Sequence, residues 1–351
     1  MPYIKTLFLS VFFVLLLFSC KKDKIEDPKT VAELSNGILV LNEGLFQMNN
    51  SSLSWINLSD LSIDNSFFEN KVGRKLGDTG NDLKRYGNKI YVLVNVSSSL
   101  EVLDATTGKS IKQISFVEGN QTKEPRSISF FGSKAFVSCF DGFVDVIDTT
   151  TLTVEKRIAV GLNPDQIVAS KNKIYVSNSG GLNAPIMDST ISIINPNTLL
   201  EEQKVVVGKN PGKLVVSNGY LFVHQRGNFG SIPSLLKKIN LTTNTVVETY
   251  AINPIAFEEL NGYIYIVYDD NGTIKFGKFD VFENSFVSTN LIDVSNVETL
   301  YGIHVESNNN HIYLFDAHGY TVSGEVLEYD SNGVFIRKFT VGLNPNSILV
   351  F

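Results

Sequence analysis

Asn163-Pro164-Asp165-Gln166-Ile167-Val168 is followed by Lys173-Ile174-Tyr175-Val176-Ser177-Asn178, Thr190-Ile191-Ser192-Ile193-Ile194-Asn195 and Val205-Val206-Val207-Gly208. These four apolar, β-branched runs of strand length are separated by turn residues, and no helical period is sustained through them. The next unit begins at once with Asn210-Pro211-Gly212-Lys213-Leu214. Other units start near Asp82, Arg126, Ile255, Leu300 and Asn346. Their second strands read Ile90-Tyr91-Val92-Leu93, Ala135-Phe136-Val137-Ser138, Tyr220-Leu221-Phe222-Val223, Ile264-Tyr265-Ile266-Val267 and Ile312-Tyr313-Leu314-Phe315. The spacing of about 39 to 47 residues is that of four-stranded propeller blades.

The ends of the pattern complete it. Gly37-Ile38-Leu39-Val40-Leu41 reads as a second strand without an inner strand of its own, and Ser52-Leu53-Ser54-Trp55-Ile56-Asn57 as a third. The chain closes with Asn344-Pro345-Asn346-Ser347-Ile348-Leu349-Val350-Phe351, an inner strand without the rest of its blade. Joined, the two make one blade, so the reading is an all-β, seven-bladed propeller over residues 37–351, closed by its C-terminal strand. Two β-sandwiches would not carry one period to the last residue.

Upstream lies a different kind of sequence. Lys5, an apolar stretch over residues 7–18 and Leu17-Phe18-Ser19-Cys20 have the order of a secretory signal that ends in a Cys. The apolar stretch is too short to span a bilayer as a helix. Residues 21–36 are charged and hold Pro28, and they read as a solvated tether. The order resembles the lipobox of bacterial lipoproteins, which implies a signal peptide over 1–19 and a lipidated Cys20 with tether over 20–36, followed by the propeller.

A formal charge of −6 argues against nucleic acid, which needs clustered Lys and Arg. The two cysteines are Cys20 and Cys139, so lipidation of the first leaves the second without a partner. Cys139 sits in an apolar run and reads as a buried, inert thiol. No metal-ligand spacing links His224, His304, His311 and His318. Gly108-Lys109-Ser110 resembles the tail of a phosphate loop but lacks its first Gly, and Asp269-Asp270-Asn271-Gly272 reads as a hairpin turn. No catalytic residue and no cofactor are assigned.

In a propeller the turns from first to second and from third to fourth strand lie on one face. Here they are short and rich in Gly and Asn, as in Leu260-Asn261-Gly262-Tyr263. The opposite face carries the longer connections, 42–51, 178–187, 224–231 and 316–323, and long loops on a rigid ring are where binding concentrates. Candidate ligand contacts there are Asn42, Phe46, Asn49, Asn50, Asn183, Gln225, Arg226, Phe229 and Tyr320. Asp78, Asn81, Arg126, Asp165 and Tyr301 stand at or beside the starts of inner strands, either as ligand contacts or as channel lining and loop braces.

The Cys-ended signal, the tether, Gly37-Ile38-Leu39-Val40-Leu41-Asn42-Glu43-Gly44, Leu76-Gly77-Asp78-Thr79-Gly80-Asn81-Asp82-Leu83 and the Asn-Pro-headed blades together resemble a known family. It is that of the surface propeller lipoproteins of Bacteroidota, related to periplasmic YncE-like propellers. The resemblance implies capture of cobalamin at the cell surface, without catalysis, and delivery to an outer-membrane TonB-dependent transporter. It also implies an outer-membrane location through the lipid anchor alone. From the residues by themselves the ligand is cobalamin or another large, amide-bearing small molecule. Alternatives are a glycan- or protein-binding scaffold and a lyase of the streptogramin-inactivating type. Glycan binding is disfavoured because the sole Trp, Trp55, lies in a third strand. The lyase would require His224 or His304 to meet Glu298 at the axis.

Overall fold

A computed structural model describes residues 34–351; the signal peptide, Cys20 and most of the tether lie outside the described residues. Seven four-stranded antiparallel sheets follow one another around a ring. Blade 1 joins the inner strand Pro345–Val350 to Gly37–Asn42, Ser52–Asn57 and Ile63–Asp64. Blades 2 to 7 begin with the inner strands Gly80–Tyr86, Pro125–Phe131, Pro164–Ser170, Pro211–Ser217, Asn253–Leu260 and Leu300–Val305. All seven inner strands and the closing blade expected from the repeat are present.

The burial pattern explains why the second strands carry unbroken apolar runs. Each blade packs on a neighbour through both faces, so the strand Lys89–Val94 is buried over five consecutive residues. Seven apolar clusters hold the ring, one at each blade junction. Outer strands have only one covered face, and Ser110–Ser115 is accordingly exposed at five of six positions. Hairpin turns follow the predicted chemistry. Asn218-Gly219 and Asn261-Gly262 both hold positive φ, the geometry that matches the twist of the flanking strands. Asn271-Gly272 does the same, which makes Asp269–Gly272 a hairpin.

Two features depart from the sequence reading. The chain forms a short helix, Phe67–Val72, where only strands were expected. Blade 1 has an outer strand of just two residues, and the helix covers that edge by burying Phe67 and Phe68. Gly73, in the left-handed conformation at φ 79°, ends the helix by donating its N–H to the Glu69 carbonyl. Six residues are too few to show a helical period. In addition Leu34, within the segment read as tether, is buried in the cluster between blades 1 and 2. Cys139 is fully buried, and burial pushes its thiol pKa well up, so it is the inert thiol expected.

Candidate functional site

Every inner strand carries a break in its pairing register at the same station near its start. A bulge leaves a residue unpaired and turns its side chain away from the pleat. Around the ring the unpaired residues are Asn81, Arg126, Asp165 with Gln166, Gly212 with Lys213, Ile255, Tyr301 and Asn346. They gather where the long connections also lie.

Polar contacts link this ring from blade to blade. The Asn81 amide donates to the Arg126 carbonyl at 2.6 Å, and the Arg126 guanidinium donates to the Asn81 side-chain oxygen at 2.5 Å. Asp165 then accepts from Arg126 Nε at 3.3 Å and from Arg226 Nη1 at 2.7 Å. Arg226 comes from the loop of blade 5 and lies on its own inner strand at Gly212. A Cβ at that position would fall 2.4 Å from the guanidinium carbon, so the glycine is what admits the arginine. Across the mouth the Tyr301 hydroxyl donates to Glu43 at 2.6 Å, and the Asn346 amide donates to the same carboxylate at 3.3 Å. Burial raises the Tyr301 pKa and Glu43 raises it further, so the phenol stays a donor. Burial works against ionisation of Asp165, but Arg226 and Arg126 outweigh it and hold its pKa below the ordinary value.

Below the mouth runs a cavity of about 240 Å³ lined by Gln166, Lys213, Lys84, Glu258, His304 and Ser347 among others. His304 lies between two carboxylates, with Nδ1 3.2 Å from Glu258 and Nε2 3.5 Å from Glu306. Burial alone would lower the His304 pKa, but the two glutamates raise it to about 9. Burial opposes the ionised form of Glu258, yet His304 holds it at about 2; His304 likewise brings Glu306 to about 2.

The stability that His304 contributes is therefore whole below its ordinary value of 6.5 and is lost as pH rises through about 9. The carboxylates contribute above their ordinary 4.5 and lose it as pH falls through about 2. Replacing His304 with Asn should flatten the alkaline limb by on the order of 2–3 kcal/mol between pH 6 and 10. Denaturant titrations across that window check this, and parallel curves for wild type and variant would count against the sandwich.

The other candidates divide into braces and free surface. Asn42 is fully buried and ties to Ser54 at 2.8 Å, and Asn178 makes the matching bond to Ser192 in blade 4. Gln225, at the same strand end in blade 5, is buried and donates to the Pro233 carbonyl. Asp78 accepts the Gln47 and Asn49 N–H groups and so shapes the loop of blade 1. Asn50 accepts from the Leu45 N–H, and Asn183 donates to Asn163. Phe46 and Phe229 are open to solvent at 69% and 80%. Asn49 is exposed at positive φ, and Tyr320 meets Tyr301 edge-on at 5.8 Å between ring centres.

The exposed Met48 and Val322 lie on the loops of Phe46 and Tyr320, and the exposed Leu182 and Ile186 lie on the loop 178–187 of blade 4. They make an apolar rim around a hydrogen-bonding centre. Between blades 5 and 6 the rim opens into a cleft of about 550 Å³ lined by Arg226, Phe229, Pro233, Asn253 and Ile255.

Neither His224 nor His304 meets Glu298; the His–Glu pair that does form in the axial cavity is His304 with Glu258. Glu298 stands 3.4 Å from His318 and largely in solvent. His224, pushed down to about 3 by burial and then by Arg226, is neutral and paired with the Ser234 hydroxyl. Trp55 packs against Phe67 and Phe351 and offers no sugar platform.

Sequence reasoning missed Glu43, Gln166, Lys213, Glu258 and Asn346 as site residues, and named His304 only with the wrong partner, Glu298. A signal was available. Aligning the repeats on Asn-Pro places Asp165, Gly212 and Asn346 at one station and Gln166, Lys213 and Ser347 at the next.

Comparison with known proteins agrees with this architecture. A family described as "Domain of unknown function (DUF5074)" matches residues 36–341. No curated protein matches the chain. Among solved structures, a quinonprotein alcohol dehydrogenase-like protein from Bacteroides thetaiotaomicron is similar at 15% identity and a TM-score of 0.68. That match covers 91% of this chain and 79% of the other. The hydrazine synthase of Kuenenia stuttgartiensis is similar at 17% identity and a TM-score of 0.61, covering 74% of this chain and 85% of the other. The computationally designed Ika8 protein matches at 11% identity and a TM-score of 0.55, covering 88% and 89%. At such identities the likeness is one of fold.

Proposed function

The chain belongs to the DUF5074 family, and on that premise we propose that it is a non-catalytic capture protein that holds a large, amide-bearing small molecule, cobalamin foremost, on its loop-rich face. One observation carries the reading. Each of the seven inner strands is bulged near its start, at the end of the ring where the long loops lie, and those loops carry solvent-facing aromatic and aliphatic side chains. A corrinoid has the complementary build, broad and apolar along its ring edges and fringed with neutral amides that need donors and acceptors. Asn81, Tyr301, Asn346 and the two arginines supply those groups, while Phe46, Phe229 and Tyr320 supply flat apolar edges.

The rest of the proposal follows from the leader. Cys20, lipidated, anchors the propeller to the outer membrane. The same apolar rim then serves to present the ligand to a TonB-dependent transporter.

Calorimetry with cobalamin tests the reading, with a co-eluting red chromophore as a first sign. Joint Ala substitution of the solvent-facing Phe46 and Asn49, and separately of Phe229, should weaken binding by about 30- to 1000-fold with folding intact. Paired changes at Asn261 and Asn332, on the opposite face, should leave affinity alone. Absence of heat with cobalamin would sink the ligand, and equal losses from both faces would sink the site.

A further inference from the structure

Two cations of the channel, Arg226 and Lys213, keep donors that no protein group claims among the described residues. Arg126 and Arg226 share one buried carboxylate, that of Asp165. Lys213, beside Gly212 in the bulge of blade 5, lines the same cavity as Arg226 and makes no ion pair among the described residues. The other charges of the cavity are already engaged. Glu258 is bound by His304 and by the Val305 N–H, and Lys84 stands 3.6 Å from Asp82. Glu43, across the mouth, is held by Tyr301 and Asn346. Partly desolvated positive charge is costly unless an anion meets it. A guanidinium and an ammonium on one wall match an oxyanion geometrically as well as electrostatically.

We infer that the channel just below the mouth is an oxyanion site, in which Lys213 and Arg226 hold a carboxylate or phosphate group with the Gln166 amide beside them. A cavity of about 240 Å³ suits a small anion or the anionic arm of a larger molecule, not a whole macrocycle. The site shares Arg226 with the rim cleft, while Lys213 and Gln166 line the channel and not that cleft. Asp165 gives the site its shape, because the carboxylate fixes the Arg226 guanidinium against Gly212 with its remaining donors unclaimed.

The test uses the purified protein with inorganic phosphate and, separately, succinate, each titrated at constant ionic strength set with sodium chloride and followed by calorimetry. Saturable binding of at least one is expected, and the tighter of the two assigns phosphate or carboxylate. Lys213→Met should weaken that binding at least tenfold, and Arg226→Gln should do the same. Lys156→Met, on the exposed outer strand of blade 3, should not change it. Lys213 has no ion-pair partner to orphan, so Lys213→Met decides the matter by itself if Arg226→Gln fails to fold. No saturable binding of either anion, or unchanged affinity in Lys213→Met, would overturn the site.

Discussion

Deletion of residues 346–351 is expected to leave the protein insoluble, or to lower its stability by at least about 5 kcal/mol. The strand Pro345–Val350 is the inner strand of blade 1 and pairs with Ile38 to Asn42 at the other end of the chain. Its loss strips the ladder from one side of Gly37–Asn42, a strand buried along its whole length. Ile348 leaves the cluster between blades 7 and 1, and Phe351 leaves its edge contact with Trp55. The reciprocal bonds between the Gly37 and Phe351 backbones go as well. The damage exceeds a sum of contacts, because an open ring presents unpaired strand edges that invite aggregation. Solubility and the melting temperature report the outcome. A soluble truncation that melts with the intact protein would refute closure by this strand.

Replacing Asp165 with Ala should cost about 3–5 kcal/mol, far more than an ordinary surface change. The carboxylate is almost wholly buried between Arg126 and Arg226, whose side chains are 23% and 31% exposed. Removing it leaves two guanidinium groups facing each other without a counterion. Replacing all three residues with Leu should recover much of the loss, since the cost lies in the unpaired charge rather than in the missing bridge. Chemical denaturation of the single and triple variants measures both quantities. A loss below about 1 kcal/mol in Asp165→Ala would mean that water already screens the cluster.

The repeat was legible because blade strands obey local chemistry. Tyr91, Tyr175 and Tyr313 recur at one point of a buried second strand, and Asn-Gly pairs mark the hairpins whose φ values they alone tolerate well. The order of the pattern also implied closure, since strands missing at one end were found at the other. The helix Phe67–Val72 escaped notice because its reason is tertiary. It covers an edge left bare by a two-residue outer strand, and its local sequence has no period to announce that.

The site divides along the same line. From the sequence alone came the seven blades, the face that carries the long loops and the exposed Phe46 and Phe229, all of which follow from strand period and loop length. Only the tertiary structure separated braces from free donors, because Asn42 and Gln225 look like ligand-binding amides until their bonds to Ser54 and Pro233 are seen. It alone brought Arg226 over Gly212 and set Asp165 between two arginines, one 39 and the other 61 residues away along the chain. The physical reason is the ring itself. A propeller makes its channel from one short segment per blade, so neighbours at the axis are a full repeat or more apart in sequence, and no local pattern encodes which charges will meet there.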